Sequence, residues 1–221
     1  MRYPGLNALL SDPFAPVHGN TFVWQGFTYK VVVQDYGADG KLAWLDRNLG
    51  ASRAANASDD SDAYGDLYQW GRLTDGHEKR DSLTTSTLSS TDDPNNGGKF
   101  ILSPNSPRDW RDPQNANLWQ GVDGINNPAP PGWRIPTGGE LGTERASWAT
   151  QNASGAFSSP LKLPMAGNRS NSNGSLISDV GHYWASTISG SFSQYLSFSD
   201  TASLVGWNRA NGRSVRCVRT I

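Results

Sequence analysis

The C-terminal end of this chain constrains its fold more than any other part. It runs Tyr183-Trp184-Ala185-Ser186-Thr187, then alternates through Tyr195-Leu196-Ser197-Phe198, and finishes with Gly212-Arg213-Ser214-Val215-Arg216-Cys217-Val218-Arg219. Alternation with a period of two marks a strand with one buried face. Strand signals so close to the end predict a fold closed by its own C-terminal strand. Between them lies a stretch of Ser, Asn, Gly and aromatic residues, displayed just before closure. Such a surface suits recognition better than catalysis.

Other strand signals stand near the beginning. Phe22-Val23-Trp24 and Thr28 to Val33 read as strands joined by the turn Gln25-Gly26-Phe27. After the turn cluster Gly37-Ala38-Asp39-Gly40, Leu42 to Leu45 reads as a third strand, so the opening is a β-meander. Pro160 to Pro164 predicts a short strand between proline stops, and Tyr183–Thr187, Ser193–Ser199, Leu204–Asn208 and Ser214–Arg219 complete the strand set. Helical patterns are scarce. Thr137-Gly138-Gly139-Glu140 has the form of a capping box, with Leu141, Arg145 and Trp148 following at helical spacing, which predicts a helix over about 138–151. Tyr64, Leu67, Tyr68 and Gly71 predict a short helix over 64–72.

Residues 74–130 have almost no period. The chain holds 24 Gly and 13 Pro but also 9 Trp, and Trp110 and Trp119 stand as isolated anchors in this stretch. We read it as ordered loops packed on aromatic side chains rather than as disorder. The expected class is α+β: small antiparallel sheets, one or two helices and long ordered loops. Residues 1–19, with three prolines and no period, read as an arm or attachment segment, and 20–221 as the domain.

Charge excludes several functions. The 221 residues carry a net charge of −1 and only 18% are charged, so no basic excess exists to meet phosphates or an anionic membrane. Met1 to Leu10 lacks the pattern of a secretory signal, and no apolar run approaches the length of a membrane span. The expectation is a chain assembled in the cytoplasm, without membrane insertion and without nucleic acid.

Candidate chemistry is sparse. His18, His77 and His182 form no ligand-spaced pair. Asp59-Asp60-Ser61-Asp62 is the candidate for calcium, but its spacing departs from an EF-hand loop and a solvated loop explains it more simply; no cofactor is expected. Glu140 and Glu144 share a helical face, yet capping already accounts for Glu140. Cys217, the single cysteine, reads as a buried inert thiol. What remains is the stretch 186–213. From it we select Ser189, Ser191, Phe192, Ser193, Tyr195, Ser197, Trp207, Asn208, Arg209 and Asn211 as ligand-binding candidates. Small hydroxyls and amides give adaptable hydrogen bonds and aromatics give rigid contact area, as in antibody paratopes.

Five motifs in order carry a resemblance. They are Trp44-Leu45-Asp46-Arg47-Asn48-Leu49-Gly50-Ala51, Gly65-Asp66-Leu67-Tyr68-Gln69-Trp70-Gly71-Arg72, the run Asn127 to Thr137 with Pro131-Gly132-Trp133-Arg134-Ile135-Pro136-Thr137, Tyr183-Trp184-Ala185-Ser186-Thr187, and Ser214-Val215-Arg216-Cys217-Val218-Arg219. Over roughly 20–221 the chain resembles the Fibrobacter succinogenes major paralogous domain and the related DUF1566 domain. The resemblance implies a C-type-lectin-like fold, in which the terminal strands pair and long loops carry the ligand surface. It is similar in this to phage tropism determinants and to formylglycine-generating enzymes. Family members often have Cys-Pro-x-Gly-Trp where this chain has Ala129-Pro130-Pro131-Gly132-Trp133, so the usual partner of Cys217 is missing. A domain without that pair does not depend on an oxidising compartment. Nor does it have the Cys pair that formylglycine generation needs.

The expected function is therefore non-enzymatic: the host-recognition protein of a phage tail tip or fibre, or of a similar particle. It would bind a cell-surface glycan or protein, attach to other particle proteins through residues 1–19, and form a homotrimer by analogy with fibre tips. The competing readings are a bacterial surface adhesin or structural domain and, less favoured, a glycan-active enzyme.

Overall fold

The computed structural model describes residues 12–221. Thirteen short strands and two helices follow one another. They are β1 (Thr21–Trp24), β2 (Phe27–Asp35), β3 (Lys41–Leu45), β4 (Tyr68–Gln69), β5 (Thr84–Thr85) and β6 (Phe100–Ile101). Then come α1 (Gly138–Ala146), α2 (Ala153–Ser158), β7 (Asn168–Arg169), β8 (Leu176–Ile177), β9 (Gly181–Ser189), β10 (Phe192–Phe198), β11 (Ala202–Trp207), β12 (Gly212–Arg213) and β13 (Val218–Thr220). The class is α+β, mostly small antiparallel sheets.

The opening meander forms as the sequence predicts. Gln25 and Gly26 both take positive φ, 48° and 83°, the geometry of the two-residue turn that matches strand twist. Across it Trp24 pairs with Phe27. β3 then pairs with β2, Val31 opposite Leu45, and β13 closes the sheet against β3, Val218 opposite Trp44. The order β1-β2-β3-β13 thus joins the two ends of the domain. Closure uses less strand than expected. Only Val218–Thr220 is regular, while Val215 and Cys217 accept single bonds from Leu49 and Leu45.

A second sheet, β9-β10-β11, lies between two cores. Neighbouring residues of its strands point opposite ways. Trp184 and Tyr195 enter a core with Tyr29, Trp70, Trp110, Trp119 and Trp133. Tyr183, Leu196 and Phe198 enter another with Trp44, Leu141, Leu161 and Leu163. The remaining pairs are β4-β12-β7-β8 and the parallel β5-β6.

The irregular middle is held by indoles. Trp70 Nε1 donates to the Ala185 carbonyl at 2.9 Å, Trp110 to Trp70 at 2.7 Å, Trp119 to Asn126 at 2.8 Å and Trp184 to Tyr68 at 2.8 Å. Each buried ring supplies apolar area and satisfies a main-chain carbonyl, on the strands β9 and β4 for Trp70 and Trp184 and in loops for Trp110 and Trp119.

Several expected elements differ. Residues 64–72 are not a helix: Gly65 and Gly71 take positive φ of 65° and 85°, and Leu67, Tyr68, Gln69 and Trp70 are all buried, leaving no solvent face. Pro160 to Pro164 is a turn, with Lys162 N–H bonding to Ser159 O at 2.9 Å. The capping box is present, Glu140 N to Thr137 Oγ1 at 3.2 Å and Thr137 N to Glu140 Oε2 at 2.8 Å. The helix behind it stops at Ala146, short of residue 151, because the Ser147 hydroxyl takes the Glu144 carbonyl at 2.7 Å. A second helix, α2, starts instead, capped by Asn152, whose Oδ1 accepts from Gly155 N at 3.1 Å. Of the arm, residues 1–11 lie outside the described residues. From Asp12 on it packs on the domain: Trp133 Nε1 donates to Phe14 O at 2.9 Å and Arg219 meets Asp12 at 2.8 Å.

Candidate functional site

The hairpin between β9 and β10 turns at Gly190 and Ser191 and projects beyond the cores. Its register sets the tip. Ser193 pairs with Ile188 on one side and Trp207 on the other, so these three form one row on one face. Phe192 pairs with Ser189 and lies across Gly206, where an added Cβ would meet Phe192 Cβ at 3.5 Å. That pair occupies the opposite face. The tip therefore presents aromatic surface on two sides.

Exposure divides the ten candidates. Ser189 and Ser191 are exposed, Phe192 is 44% exposed and Trp207 50%. Trp207 differs in this from Trp44, Trp70, Trp110, Trp119, Trp133, Trp148 and Trp184, all of which are buried. Ser197 is half-buried. Ser193, Tyr195, Asn208, Arg209 and Asn211 are buried and lie beneath the exposed residues of the tip. Composition could not separate the two groups, because Ser and Asn serve equally well as ligands and as fillers. Ile188, 36% exposed beside Ser193, joins the surface although it is neither polar nor aromatic.

Arg209 is the main support. Its guanidinium stacks on Trp70, 4.6 Å from the ring centre, and donates to Asn115 O and Gly190 O, both at 3.3 Å. Asp109 stands 3.8 Å away, and burial raises its carboxyl to about 6 even so close to the guanidinium. Gln114 Nε2 reaches Ser191 O at 3.1 Å. The loop 109–115 and the hairpin tip are thereby tied together through groups that sequence order keeps far apart.

Compared with known proteins, the chain matches no family model, no curated protein and no solved structure.

The other candidates resolve into structural roles. Asp75, His77 and Glu78 bring ligand-type atoms within 4.8 Å of one another. Each atom already has work: His77 Nε2 accepts from Gln69 N at 3.0 Å, Nδ1 faces Asp75 Oδ1 at 2.6 Å, Asp75 also takes Arg72 at 2.5 Å, and Glu78 takes Gly76 N at 2.8 Å. Because Nε2 accepts, the ring is neutral with its proton on Nδ1. Burial and the Arg72 charge lower its pKa to about 4. Glu140 is gripped by Arg134 in a fork of 2.7 and 2.5 Å, while Glu144 accepts from Tyr36 at 2.5 Å and Trp148 at 3.0 Å. Neither carboxylate is left to act on a substrate. Asp60 accepts from Asn56 N and Arg53, both at 2.9 Å, so the acidic run 59–62 closes on its own loop. Cys217 is free and buried, and burial pushes its thiol well above the usual range. Away from the tip, a groove of about 600 Å³ runs between Trp24, Thr74, Asp123 and Pro131. No described helix is long and apolar enough to cross a membrane.

Proposed function

We propose that this chain is a non-enzymatic recognition domain with a C-type-lectin-like arrangement, the host-recognition protein of a phage tail tip or similar particle. The β9–β10–β11 tip binds a cell-surface glycan or protein. The observation that carries this reading is the tip itself: Ile188, Phe192 and Trp207 stand exposed among Ser189, Gly190 and Ser191. Large apolar side chains gathered at one end of a sheet and rimmed by small polar groups are the make-up of an interaction surface. Its support by buried Arg209 lowers the ordering cost of binding. Other particle proteins would meet residues 1–19, and a homotrimer follows by analogy alone. The second reading is a bacterial surface adhesin, which would use the same tip.

The test is binding of labelled protein to a panel of bacterial cells, with and without Ile188→Ser, Phe192→Ser and Trp207→Ser combined. Those positions are exposed, so the variant should fold with stability within about 1 kcal/mol of the parent. Host-restricted binding lost in the variant supports the reading. Unchanged binding would move the site to the groove beside Trp24, and no binding to any cell would remove the recognition reading.

A further inference from the structure

Arg213, on β12, is 2% exposed. Its guanidinium carbon lies 3.5 Å from the ring centre of Tyr195 and 4.7 Å from that of Trp184. Nε and Nη1 have no hydrogen-bond partner. Burial lowers its pKa to about 10, the Tyr195 phenol being the group that opposes the shift, so it remains a cation at pH 7. Stacking engages the face of a guanidinium. Its N–H donors lie in the plane and point outward from the edge; the Tyr195 phenol is the hydrogen-bonding group beside them, and Nε and Nη1 are left unanswered. A buried charge with unpaired donors is costly, and folded chains keep one only where something else meets it.

The surroundings say what would meet it. Pairing sets His182, Ser197 and Ser203 in one row, and Trp184, Tyr195 and Val205 in the next, on the face that Arg213 covers. His182 stands edge-on to Tyr195 at 4.9 Å, and its Nδ1 is also without a partner. Ser203 is exposed while Ser197 and Val205 are half-buried, so this face opens outward along the edge strand β11.

We infer that Arg213 anchors a second binding site, for the carboxylate of a small acidic ligand entering past Ser203 and Ser197. A carboxylate is planar and matches the free edge of the fork with two parallel bonds. One cation suits a monoanion, and His182, held neutral by burial and by the Arg213 charge, supplies a neutral partner instead of a second charge. A phosphate dianion would lack half its counter-charge here. The site uses none of the exposed tip side chains Ile188, Phe192 and Trp207, so binding at either can fail alone.

The thermal midpoint of the full chain is measured at pH 7 while acetate replaces chloride at fixed ionic strength. A saturable rise with acetate is expected, as for any ligand of the folded state. N-acetylneuraminate and N-acetylglutamate, run in parallel, distinguish an acidic sugar from an acidic side chain. Arg213→Met, which keeps the stacked stem, should fold and lose the response. Arg213→Lys, charged but without the fork, should need about tenfold more acetate, the size of one lost charged hydrogen bond. In the ¹⁵N-labelled parent the Arg213 Nε–H resonance should move with acetate, which tests the site even if the variants fail to fold. No rise with any carboxylate, an equal rise in Arg213→Met, or an unmoved Nε–H signal would each overturn the inference.

Discussion

Arg216 and Arg213 stand three residues apart on the closing segment, and both are buried. They are treated in opposite ways. Arg216 donates from Nε and Nη2 to Asn48 Oδ1 at 3.1 and 2.9 Å, and from Nη1 to the carbonyls of Leu45 and Leu161 at 3.1 and 2.8 Å. Its pKa is lowered by burial, with Tyr183, then Asp46 and Glu144, acting against the shift. Arg213 has two aromatic faces and two orphan nitrogens. One arginine ties β3, the 159–163 turn and the closing strand into a single unit. The other is held ready but unanswered. Burial alone therefore does not reveal an arginine's role; what its edge meets does.

The largest effect expected from breaking this contrast is at Arg216. Arg216→Ala strands Asn48 Oδ1 and two buried carbonyls at once, and should cost about 3–5 kcal/mol, a large fraction of the roughly 5–15 kcal/mol that holds an ordinary domain. Urea unfolding, or the yield of soluble protein, reads it. Asn48→Ala sharpens the comparison. It removes the acceptor shared by Arg216 Nε and Nη2 and leaves only the Nη1 bonds to the Leu45 and Leu161 carbonyls, and it also frees Tyr64 O, which Asn48 Nδ2 meets at 3.0 Å. A loss of about 2–3 kcal/mol is expected, measured by the shift in the urea midpoint at unchanged slope. Arg213→Met should go the other way. Replacing a buried, unpaired cation by an apolar side chain of similar length is neutral or stabilises by about 1–2 kcal/mol in the absence of ligand. A loss as large as that of Arg216→Ala would show the two arginines to be equivalent and erase the contrast.

The sequence made the scaffold legible and hid this contrast. The turn at Gln25-Gly26, the alternation from Tyr183 to Phe198 and the Thr137–Glu140 capping box are local signals, and each formed where its chemistry dictates. Residues 64–72 show the limit of such signals. Helical spacing was present, yet the segment is buried on every side and its glycines serve close approaches, so tertiary packing overrode the period. The site was only half legible. Phe192 and Trp207 are exposed as a binding reading requires, whereas Tyr195 and Arg209, of equally suitable composition, carry the tip from beneath. A charged residue is ordinarily a surface residue. Nothing in the run from Asn208 to Arg216 announces that Arg209, Arg213 and Arg216 are all buried, because their partners come from strands and loops distant in sequence.

Acid stability separates regions in the same way. His77 is buried and neutral, with its pKa lowered from 6.5 to about 4. The unfolded chain takes up that proton as pH falls through 6.5 and the folded chain does not. Its contribution is complete above pH 6.5 and lost progressively down to about 4. Asp66 and Asp109 are raised by burial from 3.8 to about 6 and act in the opposite sense, holding protons in the folded state through the same window. His182, lowered by burial from 6.5 to about 3, acts in the same sense as His77, so two histidines oppose two aspartates and the net slope between pH 6.5 and 4 should be shallow. In His77→Gln both aspartates remain against His182 alone, so stability should rise, not fall, as pH drops from 6 to 4. Urea midpoints across that range check the sign.

The smallest effect is the most local. His182 titrates at about 3 because burial lowers it first and the Arg213 charge second. In Arg213→Met the second cause disappears while the first stays. The imidazole pKa should then rise part of the way toward 6.5 without reaching it, which an NMR titration of the ring resolves even though stability changes little. Saturating acetate in the parent should move it in the same direction, because a bound carboxylate offsets the same charge that the substitution deletes. If the substitution raises the His182 pKa and acetate does not, Arg213 is the electrostatic neighbour of His182 but no ligand charge has reached it, and the two arginines would differ only in how the fold itself accommodates them.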